Sequence, residues 1–241
     1  MRMTKLFVMA VLVGSVAVIG CSSDNGGSGG TAGSGGTAGA GGTAGTGGTA
    51  GTGGTAGPCG TAGTGGDQVV RVFVTSEEFD GDLGGLAGAD EICSNAAVAV
   101  DLCTTWTAWL SDNNTDARDR IADGEYQLLN GTVVADDKTE LTSGTLQAAI
   151  NRDELGNTLT DTTLPDDRAV WTATSPDGTY NNEFGSCNGW EDNTGAGGAG
   201  GAPLLGGSGD SLTTDSNWTD QSGGRRCNFS DRLYCFEEID P

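Results

Sequence analysis

The sequence predicts an α+β domain with two helices, β-strands at both ends and a long irregular loop, preceded by a disordered glycine-rich linker. Three observations carry this expectation. A β-branched run opens the foldable part, apolar residues then recur at helical spacing, and strand-like alternation returns near the C-terminus on either side of a glycine-rich excursion. Of the 241 residues, 44 are glycine and they crowd the N-terminal quarter, so the part able to bury a core runs from about residue 67 to 241.

The first strand is expected at Val69–Thr75, VVRVFVT. A turn-rich stretch, Phe79 to Gly85, leads to a helix over Leu86–Val100, where Leu86, Ala89, Cys93, Ala96, Ala97 and Val100 share one face. A second helix is expected at Ser143–Glu154, with Ser143 as its N-cap and Leu146, Ala149 and Ile150 turned inward. Strands are read at Arg168–Thr174 and Arg232–Glu238, and the excursion from Asn181 to Gly224 as a loop ordered by its cysteines and tryptophans.

The N-terminus carries a different signal. Arg2 and Lys5 precede an apolar run from Leu6 to Ile19, which has the layout of a secretory leader and is too short to span a bilayer comfortably. Val18-Ile19-Gly20-Cys21 resembles the lipobox of bacterial lipoproteins, which implies removal of residues 1–20 and acylation of Cys21 as the membrane anchor. Ser22, rather than an acidic residue, follows it, which in lipoprotein sorting resembles export to the outer membrane, so the domain is expected on the cell envelope, exposed at the surface. Residues 21–66 then form the linker, whose GGTAGx repeats lack any side chain large enough to offset the entropy of ordering them. Some forty such residues span roughly 35 Å as a random coil.

Charge and composition exclude several classes. The net charge of −22 disfavours nucleic acid and heparin-like polyanions as partners. Two readings stay open: a surface module that binds a glycan or a protein through its long loop, and a structural envelope lipoprotein without a small ligand. The chain has no histidine, which removes Ser-His-Asp and Cys-His catalysis and every histidine-bearing zinc site. Apart from Cys21 there are six cysteines: Cys59, Cys93, Cys103, Cys187, Cys227 and Cys235. An even count in an exported domain implies three disulfides, with fifteen possible connectivities, and no C-x2-C pair points to zinc.

Several segments in order carry a resemblance. They are Gly85-Leu86-Ala87-Gly88-Ala89-Asp90 before Cys93, Ala108-Trp109-Leu110-Ser111, Ala169-Val170-Trp171, Ser175-Pro176-Asp177-Gly178, Cys187-Asn188-Gly189-Trp190, Leu204-Leu205-Gly206 and Leu233-Tyr234-Cys235-Phe236-Glu237. Together they resemble the endostatin domain of collagens, a divergent C-type lectin-like fold, and bacterial lipoprotein domains on the same plan. The resemblance implies a small antiparallel sheet, two helices and a long loop, and it implies the pairs Cys93–Cys235 and Cys187–Cys227, which leaves Cys59 for Cys103.

Sugar-binding members of that fold hold calcium with a proline-containing acidic or amide triplet in the long loop and a Trp-Asn-Asp triplet in the next strand. Asn217-Trp218-Thr219-Asp220 resembles the second element, with Thr219 in place of Asn, whereas the first is absent because Pro203 is the loop's only proline. Asp220 is therefore a weak calcium candidate, short of the six to eight oxygens the ion takes. Trp190 with Asn188, and Trp218 with Asp220, are the candidate ligand contacts, while Trp171 is assigned to the core and Trp106 and Trp109 to packing near Cys103. Endostatin's zinc histidines are missing, and its heparin-binding arginine surface contradicts the charge balance. Asp112, Asn114, Asp116 and Asp123 follow EF-hand spacing but with Ala117 where the turn needs glycine and Asp123 shorter than the usual glutamate, so they are read as a solvated loop or a helix start. The adjacent acids Asp136/Asp137 and Asp166/Asp167 are read as surface carboxylates, and the domain as non-enzymatic.

Overall fold

A computed structural model describes residues 68–102, 105–160, 165–195 and 202–239. The leader, the linker, Cys21 with its expected lipid, and both Cys59 and Cys103 lie outside the described residues.

Strand β1 (Val69–Val74) sits in the middle of a five-stranded sheet, which explains its nearly continuous apolar sequence. Val70, Val72 and Val74 point into one core, with Tyr126, Trp109, Trp218 and Phe236, while Phe73 points into a second with Trp106, Trp171 and Trp190. The order is β2-β8-β1-β3-β4, where β2 is Trp106–Ala108, β3 Glu125–Leu128, β4 Val133–Ala135 and β8 Tyr234–Glu237. The sheet is mixed rather than antiparallel, because β1 and β3 run parallel with Val70 opposite Tyr126. On β8, Tyr234 and Phe236 enter the first core and Cys235 the second, as the pleat requires.

Helix α1 (Gly85–Val98) lies over the second core through Ala89, Cys93 and Ala97, close to the expected span. Its Cys93 is bonded to Cys235 of β8 across 142 positions. Arg120, on the turn after a short 3-10 segment (Ala117–Asp119), ties α1 to β2, as detailed below.

The expected helix at Ser143–Glu154 is absent. Its backbone donors are taken by other segments: Leu146 N–H donates to Thr214 O at 2.7 Å and Gln147 N–H to Val134 O at 2.8 Å. Gly144, with φ 86°, breaks the helical path, so Leu146 and Ile150 reach the first core from extended chain. The only turn of helix nearby is α2 (Lys138–Leu141), where the Asp137 carboxylate caps Glu140 N–H at 2.8 Å. Adjacent Asp136 accepts from Gln147 Nε2 at 2.9 Å, so this acid pair organises a turn.

The excursion from Asn181 to Gly224 is not one irregular loop. It supplies β6 (Leu205–Asp210) and most of β7 (Gln221–Arg226), which with β5 (Ala169–Trp171) make a three-stranded antiparallel sheet. The sequence LGGSGD reads as loop, yet its glycines are strand residues where neighbours leave no space. A Cβ on Gly206 would stand 2.9 Å from Cys187 Sγ, and one on Gly209 2.0 Å from Trp218 O. Among the described residues, no helix is long and apolar enough to cross a membrane.

Candidate binding cleft

Four consecutive residues, Cys187 to Trp190, form a single helical turn in which every φ is positive: 48°, 59°, 77° and 67°. Left-handed backbone costs roughly 1–2 kcal/mol per non-glycine residue, least for asparagine, and three of the four are not glycine. The surroundings hold it there. Cys187 is bonded to Cys227, Trp190 O accepts from Leu83 N–H at 2.9 Å, and Trp190 Nε1 donates to Ser111 O at 2.9 Å. Ser186 Oγ accepts from Gly189 N–H at 3.3 Å, and the Trp190 ring meets Trp171 edge-on at 5.7 Å. Asn188 sits exposed at the crest of this turn.

Beside the turn opens a cleft of about 410 Å³. Its walls include Asn113, Tyr180, Phe184, Ser186, Asn188 and Leu204. Phe184 packs on Gly224 of β7, where an added Cβ would come within 2.4 Å of the Phe184 Cβ. The described lining thus offers carboxamides, hydroxyls, an aromatic ring and aliphatic surface, with no carboxylate and no cation. It suits a neutral, hydrogen-bonding ligand with an apolar face.

The segment carrying Tyr180 is fixed from two sides. Asp116 accepts from Tyr180 N–H at 2.8 Å, and Asp220 Oδ1 from Asn181 Nδ2 at 2.8 Å. Burial raises the Asp220 carboxyl above the ordinary aspartate value, against the lowering effect of the Asn181 bond, and the Glu183 charge adds to the rise.

The four expected ligand residues therefore separate. Asn188 lines the cleft, and Asp220 positions the segment behind it. Trp190 and Trp218 are both 0% exposed, so neither ring is free to stack on a ligand: Trp218 packs on Trp109 and Tyr234 in the first core. Among the described residues, Asp220 belongs to no group of three or more acidic or cysteine side chains placed to share a metal ion. The EF-hand-like spacing also disperses. Asp112 closes its own turn on the N–H groups of Asn114 and Thr115, Asp116 turns to Tyr180, and Asp123 accepts from Lys138 N–H. Tyr180 and Phe184 went unnoticed in the sequence, although the Asn-Gly between Cys187 and Trp190 was a visible sign of left-handed backbone.

No protein-family model matches the chain, and no curated protein matches it.

Proposed function

We propose that the chain is a lipid-anchored protein of the bacterial envelope, presenting at the surface a non-catalytic recognition module on the C-type lectin-like plan. Its ligand is an uncharged, hydroxyl-rich molecule of the saccharide class, bound in the cleft beside Cys187–Trp190. The observation that carries this reading is the strained turn itself. Backbone strain of that kind persists where the surroundings over-determine it, and here it holds one exposed carboxamide, Asn188, at the mouth of a cleft lined by hydroxyls and an aromatic face. Such preorganisation lowers the entropy cost of binding. The lack of any histidine in the sequence and of any carboxylate in the described lining supports binding rather than turnover. The lipobox-like residues ending at Cys21 support the anchor.

The test is a neutral-glycan array probed with the oxidised chain and with Asn188→Gly, which keeps the positive φ but removes the carboxamide. Expected is retention of a defined glycan set by the parent, and loss of about tenfold or more in affinity for the variant at unchanged Tm. An empty array, or equal binding by the variant, overturns the cleft assignment. Intact mass of the detergent-extracted chain tests the anchor separately: an unacylated mature protein overturns it.

A further inference from the structure

A second concavity, of about 480 Å³, lies on the opposite kind of surface. Its floor is the C-terminal half of α1 facing the chain that leaves β1, and it is apolar through Phe79, Ile92, Ala96, Val100 and Leu155. Leu155, at the edge of the groove, is 61% exposed.

The rim is negative through two carboxylates and a helix end. Glu77 and Glu154 both line the groove, and neither forms an ion pair with any described residue. Glu154 is oriented by Ser76, whose N–H donates to its Oε2 at 2.8 Å and whose hydroxyl donates to Oε1. Finally, α1 ends beside the groove with no basic residue in its last turn, so the negative end of its dipole is uncompensated, and Asp101 follows it. Arg232 is held at the edge of the groove by Glu78 and by the carbonyls of Thr75 and Ser76, so it neutralises Glu78 rather than Glu77 or Glu154, and Arg152 donates to Gly156 O.

An apolar floor under an acidic rim recognises one chemistry. We propose that this groove docks a basic amphipathic peptide segment of a partner protein, an aliphatic or aromatic side chain seated between Ile92 and Leu155 with flanking lysine or arginine reaching Glu77, Glu154 and the helix end. The volume falls within the range of built ligand pockets, roughly 300–1,000 Å³. The net charge of −22 adds long-range attraction for such a partner. This site is separate from the cleft at Asn188 and takes a ligand of opposite character.

The test uses the full oxidised chain and three labelled twelve-residue peptides read by fluorescence anisotropy. One carries a central leucine pair flanked by lysines, one replaces the lysines with glutamates, and one replaces the leucines with serines. Expected is saturable binding of the first alone, weakening with added salt, and reduced about tenfold by Glu77→Gln combined with Glu154→Gln. Leu155→Ser, at an exposed position that tolerates a polar residue, gives a similar loss at unchanged Tm and decides the matter if the double variant is unstable. Equal binding of the serine peptide means diffuse charge attraction and overturns the proposal, as does binding insensitive to the groove variants. Asn188→Gly must leave peptide binding intact, so this result and the glycan result fail or succeed independently.

Discussion

Arg120 Nη2 lies 2.7 Å and 2.6 Å from the two carboxylate oxygens of Asp90, and the same guanidinium gives Nη1 to the carbonyls of Ala108 and Leu110. Asp90 in turn accepts from Ala108 N–H at 2.9 Å. One cation therefore ties helix α1 to the end of edge strand β2, where the ladder has run out of strand partners.

Removal of that cation leaves a partly buried carboxylate without its countercharge and takes the guanidinium donor from Leu110 O, while Ala108 O keeps its bond from Leu110 N–H. Arg120→Leu is expected to cost about 2–3 kcal/mol in urea unfolding, and Asp90→Asn less, because an amide oxygen still accepts from Ala108. A double-mutant cycle between the two positions checks the coupling. Additive losses would deny it.

Gly209 of β6 and Gly223 of β7 give a contrast between space and backbone. Gly209→Ala drives a methyl to 2.0 Å from the Trp218 carbonyl and should cost at least about 3 kcal/mol or abolish folding. Gly223→Ala, where nothing stands within 4 Å but φ is 102°, should cost only about 1 kcal/mol. Thermal melts of both variants check the ranking.

Much of the fold was legible where local pattern and tertiary demand agree. The β1 run, the α1 periodicity and the alternation of β8 each announce a buried element, and α1 ends two residues short of the expected Val100. Strand β6 was hidden because its residues were selected for the neighbours they must admit, Cys187 Sγ and the Trp218 carbonyl, which no local pattern encodes. The false helix at Ser143–Glu154 arose from apolar spacing at Leu146 and Ile150 that suits an extended segment equally well once Thr214 and Val134 take its backbone bonds. For the expected ligand contacts, tryptophan identity pointed to stacking. Trp190 and Trp218 are buried in the two cores, and the aromatic residues that line the cleft are Tyr180 and Phe184, which are unremarkable in sequence.

Asp220 and Asp177 titrate in opposite directions. Burial keeps the Asp220 carboxyl protonated to higher pH in the folded chain than in the unfolded one, so its contribution to stability falls as pH rises above the ordinary value of 3.8. The hydrogen bonds from the Thr179 hydroxyl and backbone N–H lower Asp177, so its contribution is present above 3.8 and is lost as pH falls through its lower folded value. Relative to the parent, Asp220→Asn should gain stability increasingly as pH rises from acid to neutral, whereas Asp177→Asn should match the parent in acid and fall behind at neutral pH. Melts across that range, with carboxyl carbon NMR titrations, check both signs. Parallel behaviour of the two variants would refute the assignment.

In chain order β8 comes last among the described strands, and it lies between β2 and β1. Until residues 234–237 are delivered, the main sheet exists as two fragments with raw edges facing one another, and Cys93 has no partner to join. Closure of the main sheet thus waits on β8. A chain that lacks this strand is an aggregation hazard, not a slightly shortened protein, because two sheet edges stay open.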